Sequence, residues 1–135
     1  MHKATFNQAR IAFRLRPLTP LLVKSGDKGA ALLHPERPDM MFVRTQRGGA
    51  ETVYLPGASL KGVVRSTAER VLRSLRPAWA CDPLDQGSPC ATLQRATDTA
   101  AIYRGQCLAC RTFGSLALSS RTLFADAYPG DAAAR

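Results

Sequence analysis

A chain of 135 residues carries 19 Lys+Arg against 10 Asp+Glu, and 45% of it is hydrophobic. That size suits one domain with a packed core, which sets aside a disordered tail and a collagenous repeat. No apolar run approaches the roughly 20 residues that span a bilayer, and Met1-His2-Lys3-Ala4-Thr5-Phe6 lacks the apolar stretch of a signal peptide, so membrane and secreted classes are disfavoured. The formal net charge is +9, and 15 of the 19 cations are Arg dispersed along the chain. Arg offers a planar fork that matches phosphate, so an ordered surface facing a polyanion is the simplest account of this charge, with nucleic acid the commonest such partner.

The first expected element is Arg10-Ile11-Ala12-Phe13-Arg14-Leu15-Arg16, where Ile11, Phe13 and Leu15 alternate with Ala12, Arg14 and Arg16. Period-two alternation predicts a strand with one buried face. Pro17 and Pro20 close it, and Leu21-Leu22-Val23 continues it past a bend. From Ser25 to Gly49 the glycines and prolines break any periodicity, which predicts a long excursion. Within it, Met40-Met41-Phe42-Val43 reads as a short strand and Arg47-Gly48-Gly49-Ala50 as a turn into Thr52-Val53-Tyr54-Leu55.

A helix follows Pro56-Gly57-Ala58-Ser59 and runs to Arg76, with Pro77 ending it. Leu60, Val63, Val64, Val71, Leu72 and Leu75 share one face at helical spacing and are the expected buried stripe. Lys61, Arg65, Glu69 and Arg73 lie on the opposite side, expected to face solvent. Ser59 is a candidate N-cap. Residues 78 to 112 show little regular pattern, and Leu123-Phe124-Ala125 reads as part of a closing strand.

Two constellations carry chemistry. Cys81, Cys90, Cys107 and Cys110 form C-x8-C-x16-C-x2-C. Four thiolates complete a tetrahedral zinc shell, and a C-x-x-C pair puts two sulfurs on one ion. Structural zinc is therefore favoured, against two disulfides, free thiols or a redox dithiol at Cys107 and Cys110; His34 is a remote substitute ligand. A four-cysteine site has no open position, so the metal would staple a loop-rich insertion at 78–112 and perform no catalysis. The second constellation is Pro56-Gly57-Ala58-Ser59-Leu60-Lys61-Gly62-Val63-Val64-Arg65. A helix N-terminus with free amides, a hydroxyl and two cations a turn apart can bind phosphate, although this is no Walker loop.

These residues together resemble a known family. Pro56-Gly57-Ala58-Ser59-Leu60-Lys61-Gly62 with Arg65 is similar to the P-G-S-S-L-K-G-x-x-R signature of RAMP proteins, in particular the backbone subunits of type III CRISPR effector complexes. Cys107-x-x-Cys110-x-x-Phe113-Gly114-Ser115 and Ser120-Arg121-x-x-Phe124-x-Asp126-Ala127 resemble two further stretches of those proteins, in the same order. The resemblance implies an α+β fold with a ferredoxin-like (RNA-recognition-motif) core, in which residues 1–135 are a single, partial domain. It implies that residues 25–55 are a thumb wedged into the guide–target duplex, with Met40, Met41 and Phe42 as wedge residues.

It further implies that Ser59, Lys61 and Arg65 grip a CRISPR guide RNA, and Arg14 and Arg16 join them as RNA-binding candidates. Asp39, in Asp39-Met40-Met41-Phe42-Val43-Arg44, is the candidate catalytic residue for cutting complementary target RNA. It would support attack by a 2′-hydroxyl, as base or through Mg2+ or Mn2+, leaving 2′,3′-cyclic phosphate and 5′-hydroxyl ends. Asp27 is a distant second. The implied partners are other effector-complex subunits and a chain supplying the second half of the fold, in a prokaryotic cytoplasm. Two alternatives remain: a RAMP endonuclease that processes precursor guide RNA, for which only His2 and His34 are available, and a non-catalytic zinc module that bridges subunits.

Overall fold

The computed structural model describes residues 7–24, 41–82, 84, 85, 87–92 and 98–130. They belong to two compact units, one built from residues 57–124 with 1–8, the other from 9–56 with 125–135. Together they form an α+β protein with a two-stranded antiparallel sheet. Asp27, His2, His34, Asp39 and Met40 lie outside the described residues, as does the 25–40 part of the expected thumb. No helix among the described residues is long and apolar enough to cross a membrane.

The sheet belongs to the second unit. β1 (Arg44–Arg47) pairs with β2 (Ala50–Val53) in the register Arg44↔Val53, Thr45↔Thr52, Gln46↔Glu51 and Arg47↔Ala50. Gly48 and Gly49 make the two-residue turn at φ of 60° and 82°, the left-handed pair that matches strand twist and that β-carbon-bearing residues adopt at a cost. The turn thus falls where expected, while β1 begins at Arg44, and of the expected strand at 40–43 the described residues show only a bridge at Phe42. Met41 and Phe42 are half-buried just before it, where Phe42 bridges Lys24 and the Val43 amide donates to the Val23 carbonyl at 3.0 Å.

Just past β2, Leu55 and Ala127 form a reciprocal backbone pair. The Leu55 amide donates to the Ala127 carbonyl at 2.8 Å, and the Ala127 amide returns the bond at 2.9 Å. Beside it, Tyr54 stacks on Tyr128 at 5.8 Å between centroids, and the Arg47 guanidinium lies 4.2 Å over the Tyr128 ring. The expected closing strand reduces to this bridge, and Leu123 is exposed. The expected first strand is also absent among the described residues: Ile11 is 81% and Phe13 64% exposed. Alternation prepares a segment for a sheet edge, but no described strand lies alongside to accept it.

The first unit is helical. α1 (Gly57–Leu75) begins two residues before Ser59, so Ser59 sits exposed inside the first turn and not at the cap. Pro77 ends α1 as expected and opens a 3-10 turn, Pro77–Trp79. Among the described residues, three short helices then occupy the stretch that showed no pattern: α2 (Pro89–Thr92), α3 (Thr99–Gly105) and α4 (Leu108–Phe113). The Asp98 carboxylate caps α3, accepting from the Ala100 and Ala101 amides at 2.9 and 3.3 Å. Such helices are too short for a readable apolar period, and packing holds them in place.

The stripes of α1 are reversed relative to expectation. Val63 is 68% and Leu75 69% exposed, with Val64 and Val71 also open, whereas Glu69 is only 8% exposed. On the polar side Glu69 is buried and Arg65 half-buried because they find partners there, while Arg73 stays exposed. Arg65 and Arg73 flank Glu69 at 2.8 and 3.6 Å, and Arg73 also donates to the Ala80 and Cys81 carbonyls at 3.3 and 3.0 Å. Among the described residues the core is small: Ala80, Cys90, Ile102, Ala109, Cys110, Phe113 and Leu118 are its buried apolar members, and two of them are cysteines.

Candidate metal centre

The cysteines arrive from three places in the first unit. Cys81 lies just past the 3-10 turn, where Arg73 donates to the Ala80 and Cys81 carbonyls, and Cys90 lies in α2. Cys107 caps α4, and Cys110 lies one turn inside it. The four sulfurs lie within 4.8 Å of one another, with Cys81 Sγ and Cys110 Sγ 3.6 Å apart. A tetrahedron with metal–sulfur bonds of about 2.3 Å has sulfur–sulfur edges of about 3.8 Å, so this spacing suits one ion of zinc type. All four thiols are unbridged, at separations well beyond the ~2.0 Å of a disulfide.

Backbone amides point at the sulfurs, as they do where thiolates are held. Cys107 Sγ accepts from the Cys110 and Cys81 amides at 3.4 and 3.5 Å, and Cys90 Sγ accepts from the Cys107 amide at 3.2 Å. Burial disfavours the Cys107 thiolate, yet these amide bonds and its Cys110 and Cys90 neighbours outweigh burial and lower its pKa below the ordinary thiol value. Burial pushes Cys81 up to about 11, opposed by its hydrogen bond with Cys110 and helped by Cys107 and Cys90, and burial together with its neighbouring thiols pushes Cys110 higher still. Without a cation, four sulfurs in this space cannot all ionise. A divalent ion removes that conflict, because it binds the thiolates and offsets their charge.

Arg65 reaches the same cluster from α1. Its Nη1 donates to the Gly114 carbonyl at 3.0 Å, and its Nη2 lies 3.9 Å from Cys110 Sγ. Burial opposes its charge, but the hydrogen bond and charge of Glu69 prevail, with Cys110 and Cys81 adding, so its pKa rises further. A cavity of about 440 Å³ opens onto the cluster, lined by Lys61, Arg65, Cys81, Cys90, Cys110 and Ser120 among others.

The Phe113-Gly114-Ser115 stretch closes the far side. Phe113 is buried and Gly114 has φ 89°, while the Ser115 hydroxyl accepts from Gln106 Nε2 at 2.7 Å and from the Ala117 and Leu118 amides at 3.2 Å each. Nearby, Tyr103 lies under Arg121 at 4.1 Å and Arg111 at 5.3 Å, and Arg111 also donates to the Gln106 and Arg104 carbonyls.

Of the residues singled out in the sequence, the structure gathers the four cysteines with Lys61 and Arg65, and leaves Ser59 exposed on the first turn of α1. Arg14 and Arg16 are exposed in the other unit, which also contains Met41 and Phe42. Sequence reasoning missed the structural work of Glu69, Arg73 and Gln106. For Glu69 and Arg73 the i, i+4 charge spacing with Arg65 was the available signal; Gln106 had none.

Residues 14–134 match the family model of the RAMP superfamily, and the chain belongs to that superfamily. Membership points to a CRISPR-associated RNA-binding role, in partnership with CRISPR RNA and effector subunits. No curated protein and no solved structure gives a significant match.

Proposed function

We propose that the chain is a guide-RNA-binding backbone subunit of a type III CRISPR ribonucleoprotein, stapled by one structural Zn2+ on Cys81, Cys90, Cys107 and Cys110. The observation that carries this reading is the gathering of the four sulfurs within 4.8 Å in the unit that also contains α1, whose first turns bear the family signature. In this reading the exposed Ser59 and the half-exposed Lys61 meet guide phosphates at the N-terminus of α1, where the positive end of the helix dipole favours anions. Arg14 and Arg16 add exposed cations, and Arg65 belongs to the same signature.

The ferredoxin-like core is completed by another chain of the complex. The exposed Val63, Val64, Val71 and Leu75 of the first unit and, separately, the exposed Ile11 and Phe13 of the second support this, since exposed apolar surface is commonly a protein interface. The thumb within residues 25–55 inserts Met40, Met41 and Phe42 into the guide–target duplex, and Asp39 cuts the target RNA, leaving 2′,3′-cyclic phosphate ends.

The test is to recover the protein from cells that express the whole CRISPR locus and to sequence the RNA that accompanies it. Guide-length RNA supports the reading. Complex-associated protein free of RNA overturns it and leaves the bridging zinc module.

A further inference from the structure

The inward stripe of α1 has a geometry that the signature motif does not require. Glu69 is buried between two arginines, with Arg65 Nε at 2.8 Å from Oε1 and Arg73 Nη2 at 3.6 Å from Oε2. Each arginine then passes outward to one side of the cysteine cluster. Arg73 holds the carbonyls of Ala80 and Cys81 at 3.3 and 3.0 Å, and Arg65 reaches the Gly114 carbonyl at 3.0 Å and Cys110 Sγ at 3.9 Å. The first and last cysteines are therefore both referenced to one helix through one carboxylate.

We infer that Arg65 is a positioning residue of the metal centre: oriented by Glu69, it donates to Cys110 and Gly114, and so couples metal occupancy to the placement of α1. The inference rests on the reading of the cysteines as a zinc site. A tetrathiolate centre around a divalent cation carries two net negative charges, and a guanidinium at its edge offsets part of them. N–H groups aimed at ligand sulfur also fix the ligand's orientation, and loss of such partners typically weakens metal binding by about 10- to 100-fold. Coupling is reciprocal, so metal binding restrains Arg65 and with it the signature turns of α1.

The full-length chain is titrated with Zn2+ against a chromogenic chelator and with Co2+ for its thiolate-to-metal charge-transfer bands, as wild type, Arg65→Gln, Arg65→Lys, Glu69→Gln and the exposed control Arg70→Gln. The expected result is a 10- to 100-fold loss of Zn2+ affinity for Arg65→Gln with shifted cobalt bands, a smaller loss for Glu69→Gln, partial recovery with Arg65→Lys and no change for Arg70→Gln. A residue that only packs would lower stability without moving the cobalt bands. Wild-type affinity and spectrum in Arg65→Gln overturn the inference. If that variant does not fold, unchanged affinity and bands in Glu69→Gln overturn it instead. A wild-type protein that binds neither metal overturns the zinc reading itself, an outcome distinct from the others.

Discussion

A β-carbon on Gly114 would stand 2.8 Å from the backbone nitrogen of Ser120 and 3.0 Å from the Leu118 carbonyl. Both obstacles are backbone, and Gly114 has φ 89°, so neither side-chain repacking nor an ordinary backbone conformation relieves the clash. Gly114→Ala is expected to destabilise the first unit by about 1–3 kcal/mol, read from urea unfolding followed by circular dichroism. Wild-type stability would mean that the 114–120 loop is not held in this form.

Metal analysis of the purified protein should give about one zinc per chain, and chelation should release it with loss of helical signal, since a core this small depends on its staple. Cys90→Ser should lose the metal as well. Full retention of structure after chelation would remove the staple role.

In the metal-free protein Cys107 should be alkylated before Cys81 and Cys110 at neutral pH. The attacking species is the thiolate, and the backbone amides that lower the pKa of Cys107 raise its thiolate fraction, while burial and neighbours raise the pKa of Cys81 and Cys110 and lower theirs. Mass-spectrometric mapping of partial iodoacetamide labelling checks the order; with zinc bound, all four should be protected.

Lys61→Ala should weaken RNA binding across sequences and reduce the slope of log affinity against log salt by about 1, as expected for one lost phosphate contact. An unchanged salt titration would remove Lys61 from the RNA surface.

Asp39→Ala, in an assembled complex, should abolish cleavage of target RNA and leave guide RNA in place. Continued cutting at regular spacing would reassign the catalytic residue.

The sequence made the chemistry legible further than the packing. The cysteine spacing anticipated a cluster because ligand sets are local in type and need only be brought together, and the Gly48-Gly49 turn was readable because two left-handed residues leave few alternatives. The strand at Ile11–Leu15 and the buried face of α1 were misjudged for one shared reason. Periodicity reports which side chains lie on a common face, whereas burial depends on what another element offers that face. Glu69 and Arg65 lie inside because each supplies the other's charge, and Val63 and Leu75 lie outside because nothing apolar among the described residues faces them. The capped helix at Thr99–Gly105 was readable in principle from Asp98, but its roughly two turns give no period to detect.

The reversed stripes of α1 also change how tolerance to substitution should be distributed in the isolated chain. Polar residues at Val63, Val71 and Leu75 should be accepted with stability changes within about 0.5 kcal/mol, the usual range for surface positions. An apolar residue at Glu69, at a position a helical wheel would offer as the safest site, leaves two arginines facing each other with no acceptor between them and should be among the least accepted. A saturation screen scored for folding would therefore return an inverted wheel. The same screen scored for assembly with a partner should turn it partly upright again, and the difference between the two maps would trace the surface that only the complex covers.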